Sequence, residues 1–331
     1  MTSFSSSGNG KEKNMKIRHD IHAHTFFSSC STQDPNASMA DFVRKAAELG
    51  HSVLGISNHM WDESVPGAAV WYKGQNVDYV LEERWAISED TLGVKILFGA
   101  ECEYYGMSQT LGITAETSKK FDYILVPHTH THMKDRVMAE DKDTVAARLM
   151  IADRIKEIAP ELSSALIKRM TACISRVDAY TFHEPTEDHC KYVADFMHSS
   201  FDTLLAHPEF IKLAQTTPTI VAHPFAPCGY AGEERDRIYA FLDKDRLFEQ
   251  FTKAAHMNVA MDINVAVYKK DTEGFSDDPL VEVMRIALAA GCKFSFGTDA
   301  HGVESLESIR RGDLISDAIG ITEKDLIDIV K

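Results

Sequence analysis

Seven short runs of β-branched and apolar residues, each closing on residues that can bind a metal ion, constrain the fold of this chain more than any other feature. KIRHDI leads into Asp20-Ile21-His22-Ala23-His24, SVLGIS into Asn58-His59, and VKILFGAECEY contains Glu101-Cys102-Glu103. YILVPH opens His128-Thr129-His130-Thr131-His132, TIVAHP ends in His223-Pro224, NVAMDIN carries Asp262, and KFSFGTDA runs into Asp299-Ala300-His301. Segments of helical period separate these runs, and such alternation predicts a parallel sheet of βα units. In open α/β sheets and closed barrels alike, functional groups collect at the carboxyl ends of the strands. The dispersed His, Asp and Glu residues are therefore expected to meet at one rim.

The pattern is compatible with an open doubly wound sheet or a barrel. Helices are expected at about residues 38 to 50, 76 to 92, 143 to 158, 188 to 206, 233 to 256, 277 to 291 and 322 to 330, with Gly50 and Gly291 placed as stop signals. Residues 1 to 14, Ser/Gly-rich and without hydrophobic period, read as a disordered tail, so that one domain spans 15 to 331. The stretch from 134 to 218 is too long for a single crossover and reads as a helical insertion, either a lid over the rim or helices packed outside it.

Composition narrows the function classes. Fifty acidic residues against 35 basic ones give a net charge of −15, a field that repels duplex nucleic acid and anionic membrane. No run reaches the ~18 to 20 apolar residues of a membrane span. Six cysteines without CxxC spacing or a signal peptide are expected as reduced thiols of a cytoplasmic protein.

His22 and His24 are two apart on a strand, so both side chains face one way and can reach one ion. A lone HxH says little, but its recurrence at other strand ends says more, because buried acids are costly without a cation. Mixed imidazole and carboxylate ligands suit Mn, Zn or Fe(II).

The pieces DIHAHT, SNH, GAE, PH, VAHP, DIN and GTDAH, spread from residue 20 to 301, resemble the PHP (polymerase and histidinol phosphatase) superfamily, in particular its histidinol-phosphatase-like branch. The resemblance implies an α/β fold, a distorted (βα)7 TIM-like barrel, with two or three divalent ions that hydrolyse a small phosphomonoester through a metal-activated hydroxide. It implies that His22, His24, Glu101 and Asp299 surround one ion, that Glu101 bridges to a second held by His128 and His223, and that His59 and His301 serve a third. Glu101, Asp299 and His223 are the expected catalytic residues. Glu103 is the rival to Glu101, which is preferred because it follows Gly-Ala.

Two departures stand out. Where relatives place a His or Asp at the third site, this chain has Ser29-Cys30, so Cys30 is either a thiolate ligand or a packed thiol. Asn58 replaces a frequent Asp, and Asp20 is the candidate to orient a ligand imidazole. Lys134, Arg136 and Lys269 are candidates to bind the phosphate by placement alone. His207-Pro208 repeats the His223-Pro224 dipeptide but follows a helical pattern, so His223 is preferred. His130 and His132 are expected to face solvent or support the ligands. The alternatives are an amidohydrolase-type metal hydrolase and an inactive metal-binding regulatory module.

Overall fold

The chain closes on itself through the segment that carries His22 and His24. The computed structural model describes residues 15–331 apart from 32–37, 88–89, 134–135, 140–141, 165, 168–185, 270–274 and 276. Its strands are β1 (His19–Asp20), β2 (Val53–Ile56), β3 (His59–Met60), β4 (Lys95–Cys102), β5 (Tyr104–Tyr105), β6 (Thr110–Leu111), β7 (Tyr123–Pro127), β8 (Thr219–Ala222), β9 (Ala260–Asn264) and β10 (Phe294–Gly297). β5 and β6 form a separate antiparallel pair. The others form one parallel sheet in the order β1-β2-β4-β7-β8-β9-β10, with β3 also on β4.

Beyond β1 the chain runs along β10. The Ile21 N–H donates to Phe296 O (3.1 Å), the Asp299 N–H to His22 O (2.7 Å) and the His24 N–H to Ala300 O (2.7 Å). First and last strands are thereby joined, and of the two architectures the sequence allows, the closed seven-stranded barrel is the one formed. Gly297 permits the approach: a Cβ there would lie 2.2 Å from His22 Cβ. The strands are buried on both faces, as expected where helices cover a parallel sheet. Inside, Tyr123 lies against Gly55 and Gly99, and its hydroxyl donates to Ile21 O (2.8 Å).

The surrounding helices bury one face each. In Met39–Glu48 it is Met39, Phe42, Val43 and Ala46, with Ser38 capping the first turn. Gly50 and Gly291 take left-handed φ of +77° and +89° just past their helices, the conformation a helix stop requires. Helix Glu187–Ala206 buries Val193, Met197, Phe201 and Leu204 in the main core, and Ser200 Oγ donates to His128 O (2.9 Å). This part of the expected insertion therefore covers the barrel. The helix Lys142–Ile158 precedes it.

Three expected helices differ. Residues 233 to 256 form two, Gly232–Ala240 and Lys244–His256, because Asp243 accepts the Asp245 and Arg246 N–H groups and starts a new helix. From Val77 the helix tightens to 3-10 form at Glu82–Ala86 and goes no further. Residues 322 to 330 make only 3-10 turns, since the Ile327 N–H donates to Phe294 O and ties the segment to β10. The C-terminal helix is instead Gly312–Ile319. The tail at 1 to 14 lies outside the described residues. No helix among the described residues is long and apolar enough to cross a membrane.

Candidate metal centre

Glu101, at the end of β4 and 1% exposed, is the point on which the strand ends converge. Its Oε2 lies 3.5 Å from His22 Nε2, 3.3 Å from His24 Nε2 and 3.3 Å from His59 Nδ1. Its Oε1 lies 3.4 Å from His223 Nε2 and 3.7 Å from His130 Nε2. Asp299 closes the cluster, with Oδ1 3.1 Å from His24 Nε2 and 3.6 Å from His22 Nε2. The His301 ring stacks on His24 at 4.8 Å, and its Nδ1 lies 2.7 Å from Asp299 O.

Strand register explains part of this convergence. His59, which opens β3, is the direct partner of Glu101, one residue before the end of β4. His223 and Asp299 turn inward because each holds a left-handed backbone, φ +31° and +52°. Non-glycine residues take that region at a cost of about 1–3 kcal/mol, which the surrounding contacts must offset. The Asp299 and His223 N–H groups donate to His22 O (2.7 Å) and Asp262 Oδ2 (3.2 Å), and so help fix both turns.

The donors of the cluster have the character of a cation site. His22 Nε2, His24 Nε2, His59 Nδ1 and Glu101 Oε1 are buried and lack a hydrogen bond of good geometry. Leaving such groups unpaired costs about 1–3 kcal/mol each, and a bound cation removes that cost. Among the described residues, three sets of donors have their ligand atoms within 4.8 Å of one another: His22, His24 and Asp299; His24, Cys30 and His59; and His130, His223 and Cys228. The residues present can therefore coordinate divalent metal. Burial works against charge on Glu101, but His59 and His22 outweigh it and hold the carboxyl well below its usual range. Burial likewise opposes charge on His22, yet Asp299, Asp262 and Glu101 keep its pKa well above the ordinary value. His22 would serve as a ligand through a neutral imidazole, so metal binding there would be coupled to loss of a proton.

A layer of partners orients these groups. His22 Nδ1 meets Asp262 Oδ2 at 2.8 Å, and His130 Nδ1 meets Glu103 Oε2 at 2.7 Å. Tyr72 donates its hydroxyl to the same Glu103 oxygen (3.1 Å), and Asn264 Nδ2 donates to Asp299 Oδ2 (3.1 Å). Glu103 thus contacts the outer nitrogen of His130, whereas Glu101 faces the rings of His22, His24, His59, His130 and His223. The role expected of Asp20 falls to Asp262. Asp20 accepts from Thr298 Oγ1 (2.6 Å) and the His22 backbone N–H (3.1 Å), and touches no ligand ring. Asn58 hands its side chain to the Thr25 N–H (2.8 Å) and to Glu83 Oε2 (2.5 Å). Glu83, which also accepts from Thr25 Oγ1, is pushed up to about 8 by burial.

One expected ligand is placed elsewhere. β7 ends at Pro127, and His128 turns into the core, where its ring packs on Phe201 and Phe225 and its Nε2 accepts the Phe225 N–H (3.1 Å). That nitrogen has no lone pair to spare, and His130 faces Glu101 instead. Cys228, five residues beyond His223, is a second donor that sequence reasoning passed over. His207 joins two helices, its ring bonded to the Phe210 N–H (3.4 Å) and Gln109 O (3.0 Å), far from this cluster in its contacts.

Of the phosphate-binding candidates, Arg136 donates to Gly67 O (3.1 Å) and lies over the Tyr105 ring. Lys269 pairs with Asp236 at 2.8 Å. Lys134 lies outside the described residues. Next to Cys228 opens a cavity of about 760 Å³ lined by Tyr230, Arg235, Tyr268 and Lys269, among others.

The sequence model of the PHP domain matches residues 20–204. No curated protein sequence matches the chain significantly. Among solved structures it is similar to the histidinol phosphate phosphatase of Lactococcus lactis subsp. lactis Il1403, complexed with zinc, L-histidinol and phosphate, at 16% identity over 92% of this chain and 94% of that one, TM-score 0.49. It is also similar to a truncated 3-deoxy-D-arabino-heptulosonate 7-phosphate synthase of Thermotoga maritima, at 11% identity over 93% and 90%, TM-score 0.31. A third is the N-isopropylammelide isopropylaminohydrolase of Burkholderia multivorans ATCC 17616, at 13% identity over 93% and 69%, TM-score 0.35.

Proposed function

The chain belongs to the PHP domain family, and from that premise we propose that this metal-dependent phosphoesterase hydrolyses a small phosphomonoester at two or three divalent ions gathered around Glu101. The observation that carries the reading is the ring of five imidazole nitrogens within 3.7 Å of one buried carboxylate. His22, His24, Glu101 and Asp299 would hold one ion, with Glu101 bridging to a second on His130 and His223. His59 and His301 would serve a third. Mn, Zn and Fe(II) all suit such donors.

When bound, such ions lower the pKa of a water toward ~7 and neutralise charge on the phosphoryl oxygens. The protein's own part is placement. Asp262 and Glu103 fix the rings of His22 and His130, and Asn264 fixes the Asp299 carboxylate. The His301 Nδ1 contact with Asp299 O sets the tautomer that leaves Nε2 unprotonated. Gathered donors, held before substrate arrives, stabilise charge without reorganising during the reaction.

Substrate size is argued from the surroundings. The cavity beside Cys228 is of a volume that suits a small organic group, and the net charge of −15 disfavours a long polyanion. The test is turnover by the metal-loaded protein on a panel of phosphomonoesters, with single-stranded DNA run in parallel over a range of salt. Phosphate release from a compact monoester is expected. Higher kcat/KM on DNA, falling steeply with salt, would overturn the substrate class, and no hydrolysis of any phosphoester with Mn, Zn or Fe(II) would overturn the reading as a whole.

A further inference from the structure

Two of the three donor sets contain sulfur. Cys30 stands with His24 and His59, and Cys228 with His130 and His223, on either side of Glu101. Neither cysteine is there by the drift of a free loop. The turn bearing Cys30 is stapled to Gln75, whose Oε1 accepts from the Ser29 N–H (2.9 Å) and Ser28 Oγ (3.3 Å), and the His59 N–H donates to the same Ser28 hydroxyl (3.3 Å). Cys228 is fixed to the loop that carries His130: its N–H donates to Thr129 O (3.1 Å), and Thr131 Oγ1 donates to its carbonyl (2.6 Å). Gly229 keeps this contact close, in a left-handed φ of +91°, because a Cβ there would meet His132 Cβ at 3.3 Å. Each sulfur is thus tied to the same backbone as its neighbouring imidazole.

The histidines beside them supply the second observation. His24 Nε2 and His59 Nδ1 are buried without a hydrogen-bond partner, as is Glu101 Oε1 between the two sets. A tetrahedral ion with imidazole at ~2.0–2.1 Å and thiolate at ~2.3 Å needs donors grouped on this scale. The thiols' present partners are weak ones, Ser28 Oγ at 3.1 Å for Cys30 and Ala226 O at 3.7 Å for Cys228.

We propose that Cys30 and Cys228 are metal ligands, so that two of the ion positions flanking Glu101 are mixed nitrogen, oxygen and sulfur sites. In each the S–H proton leaves to solvent as the sulfur–metal bond forms, and no electrons are transferred. Soft thiolate donors favour zinc over manganese and magnesium, which turns the centre toward thiophilic ions. The inference rests on the reading that ions bind around Glu101, and extends it to the identity of the donors and the metal they select.

Zinc K-edge X-ray absorption on the full-length, zinc-loaded protein tests it, with elemental analysis on the same sample. A sulfur shell at about 2.3 Å beside the nitrogen and oxygen shell at about 2.0–2.1 Å is expected. Cys30→Ser and Cys228→Ser should each remove part of it, and the double variant all of it. A wild-type spectrum with bound zinc and no sulfur shell overturns the inference and leaves the metal-dependent reading standing, whether or not the variants fold. A sulfur shell that survives both substitutions also overturns it. Failure of the wild-type protein to bind any zinc, Mn or Fe(II) overturns the metal-dependent reading itself.

Discussion

His22 and Asp262 lie 240 residues apart in sequence and meet at 2.8 Å, Nδ1 to Oδ2, both completely shielded from solvent. This contact sets which nitrogen of His22 faces Glu101. It also places a negative charge behind the ring, which strengthens the other nitrogen as a donor.

Asp262→Ala is therefore expected to weaken metal binding by about 10- to 100-fold while the barrel stays folded. Competition against a chromophoric chelator measures it. Affinity equal to that of the unmodified protein would show that the contact is structural only.

His130 and His128 should separate function from stability. His130→Ala removes a ring that faces Glu101 and is expected to abolish turnover and release one ion. His128→Ala should keep its metal but lose about 2–4 kcal/mol of stability, since its ring fills space between Phe201 and Phe225. Metal content and denaturant melts on the two variants distinguish them, and the reverse outcome would return the ligand role to His128.

Glu83 gives a pH dependence with a definite sign. Burial raises its pKa from 4.5 to about 8, so the folded state binds the proton more tightly than the unfolded one. Its contribution is full below pH about 4.5 and is lost as pH rises through about 8. The unmodified protein should lose thermal stability across that window more steeply than Glu83→Gln, whose amide stays neutral, with Oε1 placed to accept from Asn58 and Nε2 to donate to Thr25 Oγ1. Parallel Tm–pH curves for the two proteins would contradict this.

Stripping the metal should lower activity and stability together. An ion present at a hundred times its Kd adds about 2.7 kcal/mol to the folded state, which for a chain of this size is a Tm shift of roughly 4 °C. Calorimetry before and after chelation reads it, and refilling with Zn, Mn or Fe(II) should restore both properties. Loss of the ions with an unmoved Tm would show that the cluster does not need a cation to be satisfied.

Much of this architecture was legible because strands buried on both faces read as apolar runs, and because each run ends in a polar residue with no other reason to be there. Glu101, His223 and Asp299 stand at such strand ends, and the fold brings them together. The choice between His128 and His130 was not, since strand alternation ends at Pro127 and the following turn decides which ring points inward. Asp262 was visible as a strand-end acid, but its pairing with His22 reaches over β10 from a residue 240 positions away, and no local spacing encodes that. Cys228 sits in a loop whose position depends on Thr129 and Thr131, residues almost a hundred positions away. The tail of the chain, residues 322 to 330, carries a helical pattern that its contact with Phe294 overrides.

The join between the His22–His24 segment and the end of β10 also bears on when the centre can exist during synthesis. Asp299 becomes available only once β10 has been made, so the set His22, His24 and Asp299 is completed after the sets that end at His59 and Cys228. A nascent chain halted before β10 lacks both Asp299 and the strand that holds the His22–His24 segment in place, so this set has nothing yet to offer an ion. An ion held jointly by His22 and Asp299 is thereby a marker that β1 and β10 have found each other.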